Sequence, residues 1–219
     1  NGNSSYGTAI VGTVSGTSIS FGTAVDYNSS SASPNSLTFD SSNNKVVVVY
    51  KSIGNSSYGT ASVGTVSGTS ISFGSQATFS NNSTVENDSV VTFDSNANKV
   101  VVVYEDTGNS NYLTSVVGTV SGTDITFGTP VVTDNTGNVS HKSVSFDSNV
   151  NQVVAAYEVG GVGYYIIGSV SGTSISYGSR AVFNNNYSGY VTQTFDTSQN
   201  TTVIAYRDTG NSNYGTAKG

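Results

Sequence analysis

Four aspartates recur at matching positions along the chain, and each is followed four residues later by an asparagine. The aspartates are Asp40, Asp94, Asp147 and Asp196, and the asparagines are Asn44, Asn98, Asn151 and Asn200. Carboxylate and amide oxygens are hard ligands that could serve a cation such as Ca²⁺. The same residues could instead form an Asx turn, in which the aspartate accepts hydrogen bonds from backbone N–H groups of the loop. Because one carboxylate per loop is a poor cation cage, we favour the turn and predict no cofactor, with Ca²⁺ as the alternative.

A second set of residues belongs to a Gly-Asn-Ser-Ser-Tyr or Gly-Asn-Ser-Asn-Tyr motif that occurs four times. Its asparagines and tyrosines are Asn3 and Tyr6, Asn55 and Tyr58, Asn109 and Tyr112, and Asn211 and Tyr214. Asn amides donate and accept toward sugar hydroxyls, and a Tyr ring can pack on the apolar face of a sugar. These are the predicted ligand-binding residues. The alternative is that Gly-Asn only shapes a turn and Tyr caps the edge of the core.

The third repeat departs from this motif, because residues 158–164 read Glu-Val-Gly-Gly-Val-Gly-Tyr and lack the Asn-Ser pair. The connections between repeats vary most, and a scaffold places its specificity in such segments. They carry His141 in one connection and Tyr187 and Tyr190 in another.

Residues suited to catalysis are few. His141, the only histidine, could exchange a proton near neutral pH, but the sequence singles out no partner for it. Glu86, Asp88, Asp134 and Glu158 could supply the two carboxylates of a glycoside hydrolase or lyase, but none lies in a recognisable motif. We therefore predict that the protein is not an enzyme.

The elements that position these residues come from an internal repeat. The segment Gly-Thr-Val-Ser-Gly-Thr-Ser-Ile-Ser-Phe-Gly starts at Gly12 and recurs, with small changes, from Gly64, Gly118 and Gly168, at intervals of 52, 54 and 50 residues. Such a period is typical of stacked or radial repeat architectures. Each period holds four strand-length runs rich in Val, Ile, Thr, Phe and Tyr. No apolar run has helical spacing, so an all-β fold is predicted.

The second strand of the repeat favours one architecture. Residues 46–50 and 100–104 read Val-Val-Val-Val-Tyr and are apolar on both faces, so they must be covered on both sides. A propeller blade packs against a neighbour on either side, whereas a sandwich sheet normally has one wet face. We predict a single four-bladed β-propeller over residues 1–219, with four-stranded antiparallel blades at about 36–79, 89–133, 142–183, and 191–214 together with 4–26. The terminal segments would share the last blade, because residues 2–9 and 210–217 are nearly identical.

The order of short strand, turn, long apolar strand, loop and tight hairpin resembles the repeats of WD-repeat β-propellers. The resemblance covers all four repeats in layout only, since the chain has no Trp and no Gly-His dipeptide. The Asn-, Ser- and Thr-rich strands also look like repeats of bacteriophage tail and bacterial surface proteins. This likeness implies an extracellular, virion-surface or cell-surface location. Four blades match the hemopexin-like propellers in number, although those use a disulfide and this chain has no Cys.

Composition narrows the classes of function. Only 9% of residues are charged and the net charge is −6, which disfavours nucleic acid as a partner. No apolar run has membrane-spanning length, so membrane insertion is not expected. The prediction is a non-catalytic, lectin-like module that binds carbohydrate or a cell-surface glycoconjugate. The alternative is a structural or spacer domain of a larger fibre or adhesin, with a glycoside hydrolase or lyase as a third possibility.

Overall fold

The computed structural model describes residues 5–81 and 89–219, and the fold is all-β with two short 3₁₀ turns, Thr107–Asn109 and Thr209–Asn211. The first half of the chain forms β1 (Tyr6–Ala9), β2 (Gly12–Ser15), β3 (Ser18–Phe21), β4 (Val25–Asp40), β5 (Lys45–Ser52), β6 (Tyr58–Ser67), β7 (Ser70–Phe73), β8 (Ala77–Ser80), β9 (Val90–Asp94) and β10 (Lys99–Asp106). The second half forms β11 (Tyr112–Ser121), β12 (Asp124–Phe127), β13 (Val131–Asp134), β14 (Val139–Asp147), β15 (Gln152–Val159), β16 (Val162–Ser171), β17 (Ser174–Tyr177), β18 (Ala181–Asn184), β19 (Ser188–Asp196), β20 (Thr201–Asp208) and β21 (Tyr214–Lys218).

Three sheets share one antiparallel layout. The first has the order β4-β5-β6-β7, the second β9-β10-β11-β12 and the third β14-β15-β16-β17. In each, one short strand (β8, β13 or β18) also pairs with the third strand of the meander. The tight hairpins turn at Gly68, Gly122 and Gly172, whose φ of about +60° a residue with a Cβ would adopt only at a cost. The all-β prediction is thus confirmed.

The sheets stack through their long Val-rich strands. Val100, Val102 and Tyr104 of β10 pack in one cluster with Val47 and Val49 of the first sheet. The alternate residues Val101 and Val103 pack in another cluster with the third sheet. Because successive side chains of a strand point to opposite faces, β10 is covered on both sides, as its sequence predicted. The first strands of successive sheets (β4, β9, β14 and β19) also contact one another in chain order.

A close backbone contact recurs where the outer hairpins of neighbouring sheets meet. A Cβ placed on Gly74 would lie 2.1 Å from the carbonyl oxygen of Thr123, and one on Gly128 would lie 2.0 Å from that of Thr173. Gly22, which follows β3, would likewise meet the oxygen of Thr69 at 1.9 Å. At these three positions glycine therefore follows the outer hairpin because the next sheet leaves no room for a side chain.

The terminal segments pair differently from the prediction that residues 4–26 and 191–214 share one sheet. β1 pairs with β4, β2 and β3 pair with each other, and the fourth sheet has the order β19-β20-β21. Residues 6–9 and 214–217 are both Tyr-Gly-Thr-Ala, and it is β21, not the N-terminal segment, that pairs with the edge of β20. The described residues form five separate sheets, and a closed four-bladed ring is not confirmed.

Candidate functional site

The loops that carry the predicted binding residues lie beside the connections between sheets. Asn55 donates its side-chain N–H to Thr78 at 3.4 Å, and Asn111 donates to the side chain of Asn138 at 3.2 Å. In the fourth sheet, the Thr209 N–H donates to the Tyr187 carbonyl oxygen at 3.2 Å. We call this end of the sheets, formed by loops 53–57, 107–111 and 209–213 and connections 135–138 and 185–187, the connection end.

The predicted asparagines are exposed on turns with defined geometry. Asn109 and Asn211 end the two 3₁₀ turns, and each turn is capped by an aspartate that accepts the N–H of the loop glycine. The distances are 3.1 Å for Asp106 and 2.8 Å for Asp208. Asn55 is exposed on the corresponding loop of the first sheet. Asn3 lies outside the described residues.

The predicted tyrosines differ in exposure. Tyr58 and Tyr112 are half-buried, whereas Tyr6 is 39% exposed and Tyr214 is 65% exposed. In the described residues, none of these four rings packs face to face or edge to face on another aromatic ring. The four tyrosines thus lie on four separate strands, β1, β6, β11 and β21.

A cluster that the motifs did not include lies at the connection end of the third and fourth sheets. His141 Nε2 lies 3.0 Å from the Tyr187 hydroxyl, and the His141 and Tyr190 ring centroids are 5.0 Å apart. The Arg207 guanidinium lies 5.0 Å from the Tyr190 ring centroid and 5.3 Å from that of Tyr187. We call these four residues the aromatic–arginine cluster. Tyr190 is 68% exposed, so its ring is held by contacts and still open to a ligand.

Backbone irregularities create this cluster. The pairing of β14 with β15 shifts register between Ser140 and Ser143, and that of β19 with β20 shifts between Gly189 and Thr192. His141 and Tyr190 lie within these bulges and have positive φ angles of 45° and 54°. Bulges redirect side chains and are over-represented beside binding sites.

The cluster adjoins the predicted loop of the fourth sheet. Ser188 pairs with Asp208, which pairs with Tyr214, so the start of β19 and Tyr214 lie at the same end of that sheet. Sequence reasoning identified the connections as variable but gave the cluster residues no joint role. Their sequence separation hides the contact, and only the two tyrosines around the start of β19, Tyr187 and Tyr190, signal it.

A buried charge network joins the second and third sheets. Asp134 accepts a hydrogen bond from the Tyr157 hydroxyl at 2.5 Å and forms an ion pair with Arg180 at 3.0 Å. Burial alone would raise the pKa of Asp134, but hydrogen bonds from Tyr157, Thr136 and Arg180 outweigh burial and hold that pKa below its usual value. Arg180 also lies 4.2 Å from the Tyr164 ring centroid. The network fixes one sheet against the next.

The other carboxylates considered for catalysis give no support for an acid–base pair. Glu158 is buried and accepts the N–H of Gly161 within its own hairpin. Asp134 is occupied by the network just described. Glu86 and Asp88 lie outside the described residues.

The repeated aspartates have Asx-turn geometry. In all four turns one carboxylate oxygen accepts the N–H groups of the second and third following residues, for example at 2.9 and 2.8 Å for Asp94. The asparagines that follow have positive φ angles of 53° to 57°. Asn tolerates this conformation better than most residues, which gives a structural reason for its recurrence. In residues 5–81 and 89–219, no three His, Asp or Glu side chains group in a way that could hold a metal ion.

Comparisons with protein-family models and with curated proteins find no match to this chain. Within the part of the chain that the structure describes, no helix has the length and hydropathy needed to span a bilayer. The function is therefore inferred from the geometry of the described residues.

Proposed function

We propose that the protein is a non-catalytic module that binds carbohydrate or a cell-surface glycoconjugate. The observation that carries the proposal is the exposed Tyr190 ring, which contacts His141 and Arg207 at the end of the fourth sheet where the loop with Asn211 leads into Tyr214. A fixed aromatic ring loses little conformational entropy on binding and suits the apolar face of a sugar.

The surroundings of Tyr190 suit a neutral ligand rich in hydroxyl groups. The Arg207 guanidinium, the Tyr187 hydroxyl and the Asn211 amide can all donate hydrogen bonds. The net charge of −6 disfavours a polyanion, and charged residues are only 9% of the chain. The other Asn and Tyr residues of the repeated loops would offer further weak contacts, which add through avidity if they engage one polymeric ligand.

We also propose that the sheets are blades of the β-propeller type. The meander order, the contacts between successive first strands and the two-sided burial of β10 support this. The closed four-bladed ring remains a prediction. An extracellular or virion-surface location, which would bring the module to glycans, is part of the same proposal.

The test is a glycan array followed by calorimetric titration with neutral oligosaccharides such as mannan, galactan, glucan and chitin fragments. We expect Tyr190→Ala to weaken the best ligand about threefold to tenfold, the value of one aromatic contact. Phe39→Ala is the matched control, because Phe39 is an exposed aromatic (54%) at the opposite end of its sheet. If no glycan binds, or if both variants bind like the parent protein, the proposal is wrong.

A structural role in a larger assembly is the second candidate. The observation that favours it is the exposure of two apolar surfaces, one around Ile19 and Phe21 in the β2–β3 hairpin and one around Ile167 in the third sheet. It predicts association of the protein with itself whether or not glycans bind.

A further inference from the structure

The outer hairpin of each complete sheet carries one isoleucine at the same position, and that isoleucine is buried. Ile71, Ile125 and Ile175 are 7%, 4% and 3% exposed. Ile125 packs in a cluster with Val63 of the preceding sheet, and Ile175 packs in a cluster with Val117 of its preceding sheet. In both cases, an isoleucine from the outer hairpin of one sheet covers a valine in the third strand of the preceding sheet.

The hairpin formed by β2 and β3 has the same sequence, but none of the described sheets covers its isoleucine. Its isoleucine, Ile19, is 52% exposed, and Val14 and Phe21 beside it are 72% and 59% exposed. No charged residue occurs in this hairpin. It exposes the isoleucine that the equivalent hairpins bury.

The third sheet exposes the surface on which such a hairpin would pack. Ile167 stands where the first and second sheets have Val63 and Val117, which are 0% and 1% exposed, yet Ile167 is 38% exposed. With Val154, Tyr165 and Val182 of its own sheet, and with Ile204 and Lys218 of the fourth sheet, it lines a groove of about 440 Å³, which we call the open face. In the part of the chain that the structure describes, the fourth sheet consists of β19, β20 and β21, and no outer hairpin from it covers this groove.

The backbone slot of the repeat is also empty at this face. A Cβ on Gly128 would meet the carbonyl oxygen of Thr173 at 2.0 Å, whereas on Gly178 it would meet only the Ile167 oxygen, at 3.9 Å. Thr17 occupies in the β2–β3 hairpin the position that Thr173 has in its own hairpin. The open face thus has both the apolar groove and the glycine slot that such a hairpin fills elsewhere in the chain.

We propose that two copies of this chain associate head to tail, with the β2–β3 hairpin of one copy packed on the open face of the other. Ile19 and Phe21 fill the groove around Ile167, and Thr17 approaches Gly178. Within one chain both Ile19 and Ile167 are exposed, so the chain's own hairpin does not cover its open face. A second copy supplies the same hairpin with its apolar surface free.

The edge of β20 gives this association a second component. β21 holds that edge with Tyr-Gly-Thr-Ala, and β1 of the incoming copy carries the same four residues followed by the hairpin. In the association, β1 of the second copy leaves β4 of its own chain and replaces β21 with the same register, as in strand addition. Head-to-tail contacts of this kind are heterologous and can grow into rings or filaments.

Analytical ultracentrifugation of the full chain across a concentration range tests the proposal. We expect the parent protein to form species of at least twice 22.5 kDa. Ile19→Asp and Ile167→Asp should each be monomeric, and an equimolar mixture should form a dimer that grows no further, since each variant keeps one intact surface. Ile53→Asp is the matched control, because Ile53 is 47% exposed on a loop at the connection end.

Several results would overturn the proposal. A parent protein that stays monomeric at the highest concentration would point to closure of the two surfaces within one chain. A mixture of the two variants that stays monomeric, or an Ile19→Asp variant that associates like the parent, would exclude the head-to-tail contact. Circular dichroism checks that each variant is folded. If one is not, Phe21→Asp or Val182→Asp replaces it on the same surface, since both side chains are exposed.

Discussion

Gly128 and Gly178 occupy the same position in successive repeats but have different surroundings, which makes Gly→Ala a matched pair of substitutions. A Cβ on Gly128 would lie 2.0 Å from the Thr173 oxygen and 3.0 Å from its carbonyl carbon. At Gly178 the only neighbour within contact range is an oxygen at 3.9 Å. Neither glycine has a positive φ, so the close approach, rather than backbone conformation, separates the two sites.

The expected cost follows from these distances. A carbon and a carbonyl oxygen rarely approach closer than about 3.3 Å, so Gly128→Ala forces the two hairpins apart by roughly 1.3 Å. Overpacking of this kind costs about 1–3 kcal/mol. Alanine also restricts the unfolded chain, which stabilises both variants by about 0.4–1 kcal/mol. We therefore expect Gly128→Ala to lower the free energy of unfolding and Gly178→Ala to leave it unchanged or raise it.

Thermal and urea unfolding, followed by circular dichroism on dilute protein, measure this difference. One kcal/mol corresponds to about 2–4 °C in Tm for a chain of this size, so an overpacking cost of about 1–3 kcal/mol should separate the two variants by about 2–12 °C. Gly74→Ala repeats the experiment at the preceding sheet, where the oxygen lies at 2.1 Å. Equal stability of Gly128→Ala and Gly178→Ala within about 0.5 kcal/mol would refute the stacking geometry on which the reasoning rests.

Two further predictions concern the charge network and the repeated turns. Since the folded-state pKa of Asp134 is lowered, its stabilisation is present above about pH 4 and is lost as pH falls further. The stability gap between the parent protein and Asp134→Asn in urea unfolding should therefore shrink between pH 6 and pH 2, and a constant gap would contradict the assignment. Asn151 has a φ of 57°, so Asn151→Ala should cost about 1 kcal/mol and Asn151→Gly should not. If EDTA lowers the thermal stability of the parent protein, the repeated aspartates bind a cation and the Asx-turn interpretation is wrong.

The repeat itself could be predicted because its constraints are local or periodic. The hairpin turn at Gly122 needs only a residue that accepts positive φ. The run from Val100 to Tyr104 is apolar at every position, which predicts burial on both faces of the strand. These features depend on neighbours within one strand or one turn. The predictions of the hairpin turn and of the two-sided burial were confirmed for that reason.

The pairing of the ends could not be predicted in the same way. Residues 6–9 and 214–217 are identical, so sequence alone permits either segment at the edge of β20. The choice depends on which partner is closer in space and on packing around the hairpin that follows. The aromatic–arginine cluster was missed for a related reason, because bulges at His141 and Tyr190 change the direction of side chains without a distinct sequence pattern.

The second sheet departs from the repeat at two paired positions, one on its third strand and one on the short strand that pairs with it. Glycine occupies positions 59 and 163, where a Cβ would lie 2.4 and 2.5 Å from the rings of Phe79 and Phe183. The second sheet has Leu113 at this position, fully buried, and Thr133 in place of the ring. In the second sheet the large side chain therefore lies on the third strand, whereas in the first and third sheets it lies on the short strand that pairs with it. Either arrangement fills the volume between the sheets.

The same exchange changes how the sheets adhere. Phe79 packs on Tyr104 with ring centroids 5.3 Å apart, and Phe183 packs on Tyr206 at 5.0 Å. Where threonine replaces the ring, Tyr157 donates instead to Asp134, which Arg180 also holds. One interface in the stack therefore depends on a charged network where its neighbours depend on aromatic packing. For this reason, acid should weaken the contact between the second and third sheets more than the neighbouring contacts.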